Sequence, residues 1–324
     1  MVIGRNEAKR LSVCLKSFQG LNCPVIYVDS GSTDSSVTIA NSMPHMVWQL
    51  DTMQPFSAAR ARNEGLNQLI STYPQLQYIQ FIDGDCEVSA QWVKSGQEAL
   101  QQDEKKAIVF GHLHEAYPDK SVYNQLCALE WQSAAGDLTN FGAIGGIFMM
   151  RVDVFKFLNG FNAKVIAGED SELGIRVGLA GYKITKLDAS MATHDANILS
   201  FNQWWTRAVR AGHAVGQRAF LNGDSKMQDC VKERKSTFFW GIILPLLALL
   251  LLIPTKGFSL LILLCAFTYL GTRIYQYRRK IGNAHELAFL YTKFTVLGKL
   301  ANGFGLIKIY INKFKKNYQI IEYK

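Results

Sequence analysis

Two carboxylates separated by a glycine, Asp83-Gly84-Asp85, close the apolar run Tyr78-Ile79-Gln80-Phe81-Ile82. A run so rich in aromatic and branched side chains reads as a mostly buried strand, which presents both acids at its carboxyl end. Gly84 lacks a Cβ, so the backbone between the acids can bend and aim them outward. Hard oxygen ligands at a strand end suit Mg²⁺ or Mn²⁺, ions that clamp phosphate oxygens. An acidic turn after a strand is the competing reading of the same residues. A second acidic pair, Glu169-Asp170, precedes an expected helix over Ser171–Ala180. That pair reads as a first turn favoured by the helix dipole or as catalytic carboxylates. His194-Asp195 follows an apparent strand, Lys183–Leu187, at a spacing that can return it to the same region. For His194 a metal ligand, a phosphate contact and a satisfied core histidine all stay open.

These groups need a scaffold, and residues 1–224 alternate expected strands and helices. Pro24–Asp29 reads as a strand, Ser30–Asp34 as a turn, and the following residues through Asn41 as a helix capped by Asp34 or Ser35. Ser57–Ser71 reads as a second helix, the strand into Asp83 follows, and Ser89–Gln102 is helical. This alternation predicts an α/β fold with a largely parallel sheet.

Composition changes after Lys235. Thr237–Ile253 and Phe258–Gly271 are two uncharged apolar runs around the turn Pro254–Gly257. Each is close to the minimum for crossing a bilayer, about 17 residues. Residues 236–277 therefore predict a transmembrane or re-entrant hairpin, kinked at Pro245. Basic flanks, Lys232–Lys235 and Arg278–Lys280, put its base on the cytoplasmic side. The net charge of +9 resides in residues 272–324, which hold eleven Lys and Arg against Glu286 and Glu322. From Leu287 to Lys316 the lysines alternate with aromatic and aliphatic residues. Residues 278–324 thus predict a basic amphipathic tail on an anionic membrane surface, broken near Gly303–Gly305. Interleaving with apolar residues argues against a nucleic-acid partner. The six cysteines show no C-x-x-C pairing, which suggests thiols in a reducing compartment. No signal peptide precedes the charged stretch from Arg5 to Arg10.

Several segments together resemble the family 2 glycosyltransferases, inverting enzymes with the GT-A fold. Val2–Glu7 and Val28–Asp34 are similar to that family's nucleotide-binding strand ends. Ser57–Gly65 resembles its Ala-Arg-Asn-x-Gly helix start, and Asp83-Gly84-Asp85 falls where the family places its metal motif. Gly145-Gly146 with Arg151, then Gly160-Phe161 and Gly168–Leu173, resemble its acceptor-side segment and Glu-Asp motif. The resemblance covers about residues 1–215 and implies a GT-A domain over 1–225.

It also implies roles. Asp83 and Asp85, with His194 as a further candidate, would hold Mg²⁺ or Mn²⁺ on the donor diphosphate. Arg5, Glu7, Asp29 and Arg62 would join them in binding the donor. Asp29 can accept from a uracil N3–H or cap its own turn. Arg62 can pair with a base edge or phosphate, or be a solvated helix charge. Asp170, with Glu169 beside it, would supply the general base. Trp204 and Trp205, with Arg207 and Arg210, form either an acceptor platform or interfacial anchors.

Two departures matter. Only Met1–Ile3 precede Gly4-Arg5, which reads as a late or trimmed start. Gln203–Ala208 departs from the Gln-x-x-Arg-Trp motif of polymerising members, which implies one sugar per encounter. The expectation is transfer of a single sugar from a nucleotide donor, first a UDP-sugar, to a lipid-linked or membrane-proximal glycan acceptor. The enzyme would be multi-pass in the inner membrane, with its catalytic domain cytoplasmic. Transfer to polyprenyl phosphate and a nucleotide-binding scaffold without activity are the alternatives.

Overall fold

The computed structural model describes residues 1–315; Lys316 and Lys324 of the expected basic tail lie outside them. The chain forms two compact units. The first comprises Met1–Tyr117 and Glu130–Ala196, the second Pro118–Leu129 and the residues from Asn197 onward.

In the first unit the strands are β1 (Val2–Gly4), β2 (Ile26–Asp29), β3 (Met46–Gln49), β4 (Tyr78–Asp83), β5 (Cys86–Val88), β6 (Lys106–Glu115), β7 (Gly136–Asp137), β8 (Phe148–Arg151) and β9 (Lys183–His194). Their order is β3-β2-β1-β4-β8-β6-β9-β5, with β7 on β9. The half from β3 to β4 is parallel, as the alternation predicts. Beyond β4 the sheet is mixed rather than largely parallel. β8 runs antiparallel to β4 and β6, and β5 and β7 antiparallel to β9, while β6 and β9 are parallel. The turn at Gly84 explains part of this, since it sends the chain directly into β5, away from the parallel half.

Register brings the site residues to one edge. Gly4 lies opposite Asp29, and Ile3 opposite Asp83, so β1, β2 and β4 end together. β4 is buried along its middle because both faces are covered. Phe81 packs on Phe148, Phe155 and Phe161 at centroid distances of 5.2, 5.6 and 5.2 Å. Its one interior amide, Gln80, accepts from Trp92 Nε1 at 2.7 Å and donates to the Phe81 carbonyl, so no buried polar group is stranded there.

The helix Ala58–Thr72 starts where Ser57 Oγ accepts from the Arg60 amide at 3.1 Å. Ala59, Arg62, Leu66 and Leu69 share its buried face at helical spacing. Gly65 permits the close approach, because a Cβ there would lie 2.5 Å from Val28 Cγ2. Burying Leu66 and Leu69 stabilises by about 2 kcal/mol each.

In the second unit, Phe201–Asn222 begins with a capping box between Ser200 and Gln203. This helix groups with the C-terminal elements, although a catalytic domain through residue 225 was expected. The reason is packing: a Cβ on Gly212 would meet the Asn302 carbonyl, and one on Gly216 the Ile309 side chain. The helix Val231–Phe238 continues through a π turn, Phe239–Ile243, into Leu244–Leu250. The π turn directly precedes Pro245, whose ring would clash with the carbonyl four residues back in a regular helix. Phe258–Lys280 and His285–Lys315 follow, and both are long and apolar enough to cross a membrane by length and composition. His285–Lys315 is continuous, contrary to the break expected near Gly303–Gly305. Those glycines sit where backbones touch: Gly303 against Gly241, and Gly305 against Val209 and His213.

Candidate active site

Asp83 and Asp85 emerge at the end of β4, where the Gly84 amide donates to the Ile3 carbonyl at 2.8 Å. The two acids differ in environment. Asp83 has a side chain 37% exposed, whereas that of Asp85 is 4% exposed. Asp85 Oδ2 lies 3.1 Å from His194 Nε2, so the structure brings together two residues far apart in sequence. His194 is carried there by β9, which pairs it with Cys86 of β5 and Glu115 of β6. The Trp131 ring stacks on its imidazole at 4.9 Å, and His194 Nδ1 is buried without a hydrogen-bond partner.

Asp85, Cys86 and His194 offer ligand atoms within 4.8 Å of one another. Burial and the neighbouring Asp85 push the Cys86 thiol well up. Adjacent ligands of an octahedral ion with bonds near 2.1 Å are about 3 Å apart, which the Asp85–His194 pair matches. The residues therefore fit a divalent ion. A nitrogen in the set favours Mn²⁺ over Mg²⁺, which prefers oxygen alone.

Arg62 is not a solvated helix charge. It is 2% exposed, with Nη1 donating to Glu169 Oε1 at 2.6 Å and Nη2 to Asp83 Oδ1 at 3.0 Å. Nη2 also donates to the Gly146 carbonyl at 3.3 Å. Gly146 is required there, since its Cβ would fall 2.7 Å from Nη2. Burial opposes the Arg62 charge, but Asp83, Glu169 and Asp170 outweigh it and raise its pKa. Next to it, Asn63 clamps the turn at Gly160-Phe161, accepting from the Phe161 amide and donating to its carbonyl. The Ala-Arg-Asn-x-Gly segment thus builds the site from inside.

The acidic pair divides. Glu169 is buried on Arg62. Asp170 is half-buried and accepts from the Ser171 amide at 2.7 Å. Gly168, at φ +76°, turns the chain into the helix Glu169–Leu179.

Asp29 takes the other of its two readings. It is 1% exposed, and its oxygens accept from the Gly31 and Ser32 amides, the Ser32 hydroxyl and the Tyr27 hydroxyl. Four donors reach its oxygens, so it closes its own turn. Glu7 binds Arg10 at 2.6 Å, and Arg5 is exposed over the Phe56 ring at 5.4 Å. Trp204, expected as part of an acceptor platform or as an interfacial anchor, is 4% exposed in the second unit, against Tyr123 and Phe294.

Two residues escaped the sequence reading. Arg10 reaches Glu7 and the Asp195 carbonyl; burial opposes its charge, and Glu7, Asp85 and Asp195 raise its pKa overall. Its i+3 spacing from Glu7 was the available signal. Trp131 lies in a loop and gave none.

Two carboxylates at a strand end beside a second acid pair, on a half-parallel α/β sheet, are the arrangement expected of a nucleotide-sugar transferase. Comparison with known proteins agrees. Residues 1–158 match the model for glycosyl transferase family 2, and residues 130–198 that for the N-terminal domain of galactosyltransferase. No curated protein matches the sequence. Among solved structures, mannosyltransferase PcManGT from Pyrobaculum calidifontis, in complex with GDP-Man and Mn²⁺, superposes with a TM-score of 0.56 at 15% identity, covering 98% of this chain and 87% of that one. S. aureus TarS 1–349 in complex with UDP gives 0.51 at 15% identity, covering 98% and 91%. Against the longer TarS chain the TM-score is 0.51 at 16% identity, and this chain spans only 43% of its length. Residues 1–158 carry a glycosyl transferase family 2 domain, and the chain shares the GT-A glycosyltransferase fold of its structural neighbours.

Proposed function

We propose that the enzyme transfers one sugar from a nucleoside diphosphate sugar, with inversion, to an acceptor held at a membrane surface. One observation carries this reading: a single buried guanidinium, Arg62, binds both Asp83 of the metal motif and Glu169 of the acid pair. Donor and acceptor machinery therefore lie within the span of one side chain.

Asp85 and His194 would hold the divalent ion, with Asp83 beside them; the ion would supply charge stabilisation to the departing diphosphate. Asp170 takes the proton of the acceptor hydroxyl as its oxygen attacks the anomeric carbon. The bond from that carbon to the diphosphate oxygen breaks, and the nucleoside diphosphate leaves with the electron pair. Glu169 and Arg62 hold Asp83 and the helix start in place throughout. UDP-sugars and GDP-sugars both belong in the first screen; the UDP complex of TarS and the GDP-Man complex of PcManGT motivate the pair. The two apolar C-terminal helices motivate a lipid-linked or membrane-proximal acceptor reached from the cytoplasmic side.

The test is nucleoside diphosphate binding to the full chain in detergent, with and without Mn²⁺, in wild type and Asp85→Asn. Binding that needs Mn²⁺ and is lost in the variant is expected. Equal binding by both proteins overturns the metal assignment, and binding of neither UDP nor GDP by folded protein overturns the activity.

A further inference from the structure

The helix His285–Lys315 passes a length and composition test for crossing a bilayer. Its surroundings argue for a different placement. At 1.5 Å per residue it is about 46 Å long, and a bilayer core about 30 Å thick would take about 20 of its residues. Any such stretch contains at least two of Lys293, Lys299 and Lys308. One side of the helix is also committed to a polar neighbour. Phe201–Asn222 runs along it in the same direction, from Trp204 against Phe294 to Phe220 against Tyr310. The contacts between are too close for either helix to leave alone: a Cβ on Gly305 would lie 2.0 Å from the Val209 carbonyl, and one on Gly212 2.1 Å from that of Asn302. Crossing the bilayer would therefore carry Arg207, Arg210 and Arg218 into hydrocarbon as well.

The opposite side is exposed and apolar towards both ends, at Phe289 and from Phe304 to Phe314, while no residue of 294–303 is exposed. Phe289, Phe304, Ile307, Ile311 and Phe314 are 60, 57, 40, 47 and 91% exposed and fall on one helical face. Exposed Lys293, Lys308 and Lys315 lie on or beside that face. Trp205 extends it from the neighbouring helix, its ring 6.0 Å from Phe304 and 5.8 Å from the half-exposed Phe201. Aromatic rings with lysines along one long face match an anionic bilayer surface, where rings sit at headgroup depth and lysines reach lipid phosphates.

We infer that Phe201, Trp205 and the exposed face of His285–Lys315 form one composite surface that docks flat on an anionic bilayer, this helix lying in the interface rather than crossing it. The inference deepens the membrane part of the proposed function but needs no catalysis, so its failure is separable from failure of the activity. It applies to this helix and this face alone.

The experiment places a single environment-sensitive fluorophore at Phe289→Cys, Leu300→Cys or Ile311→Cys in a Cys265→Ser background, since Cys265 is the exposed cysteine. Each full chain is reconstituted into phosphatidylcholine vesicles with or without phosphatidylglycerol, and depth is read by quenching from lipids labelled at defined positions. Positions 289 and 311 are about 33 Å apart along the helix. The expected result is one shallow depth for all three, about 5–10 Å below the headgroups, deeper in the anionic vesicles than in the neutral ones. A central depth at 300 with positions 289 and 311 near opposite surfaces overturns the inference in favour of a spanning helix. No quenching at any position overturns it in favour of a face covered by protein or water. Equal depth in both vesicle types overturns the choice of an anionic surface.

Discussion

Replacing Arg62 should cost more than replacing any other charged residue of the site, and the structure sets the size. The Arg62 guanidinium is 2% exposed and serves two acids. Asp83 is 37% exposed, so water can take over its charge and that pair contributes at most about 1 kcal/mol. Glu169 is 9% exposed and loses its only buried cationic partner shown, which for a broken buried pair costs about 3–5 kcal/mol. Arg62→Met, which preserves much of the volume, should therefore lower the midpoint of thermal unfolding by about 10 °C for a unit of this size. Arg62→Lys should recover only part, because one ammonium cannot fork between two carboxylates. Pairing Arg62→Met with Glu169→Leu removes the stranded charge, so the double variant should be more stable than Arg62→Met alone, with a coupling of about 2–3 kcal/mol. Thermal unfolding of the four proteins in one detergent measures the cycle. Additive effects, or a shift of under about 2 °C for Arg62→Met, would show that the bridge does not hold the site together.

Three further outcomes are expected. Asp170→Asn should lower kcat about 10²–10⁴-fold with donor affinity little changed, whereas Glu169→Gln should lose stability first; initial rates beside an unfolding curve separate the two. Gly305→Val should destabilise the helical unit by about 3 kcal/mol through overpacking, while Gly145→Ala, with nothing within 4 Å of its Cβ, should be near neutral. His213 is fully buried, and burial with Lys308 nearby lowers its pKa to about 4 from 6.5. The unfolded chain therefore takes up that proton first, so this contribution is intact above about pH 6.5 and is lost as pH falls towards 4. His213→Leu should flatten that part of a stability profile, and an unchanged slope would exclude His213 as its origin.

The residues that make the site were legible in sequence to different degrees, and for physical reasons. Asp83-Gly84-Asp85 was readable because an apolar strand has only one way to end in two acids and a glycine. The parallel half of the sheet followed from alternation, but the strand order and the antiparallel return of β8 did not, since its pairing on β4 is a long-range choice. Arg62 could have been placed: Ala59, Leu66 and Leu69 at helical spacing put it on the inward face, and only its charge suggested otherwise. Asp29 shows the reverse hazard. Its local donors, Gly31 and Ser32, are two and three residues away, so the bland reading needed no tertiary contact to win. His194 became informative only when β9 carried it to Asp85, which no spacing rule encodes.

Glycine carried two opposite meanings in this chain, and burial of its neighbours decides between them. At Gly168 the backbone needs φ near +76°, so the residue is chosen for conformation and the helix begins there. At Gly303 and Gly305 the backbone is ordinary helix, and the residue is chosen because another backbone occupies the space a Cβ would fill. A helix-interior glycine costs about 1 kcal/mol relative to alanine. That cost is offset when removing the side chain lets a neighbour approach closely. Gly212 and Gly216, four residues apart, lie on the facing helix, while Gly303 meets Gly241. The expected break at 303–305 counted the intrinsic cost and not the approach. Two helices carrying small residues at complementary positions therefore predict a tight crossing better than they predict two breaks, and here that crossing fixes which face of His285–Lys315 is left for a partner.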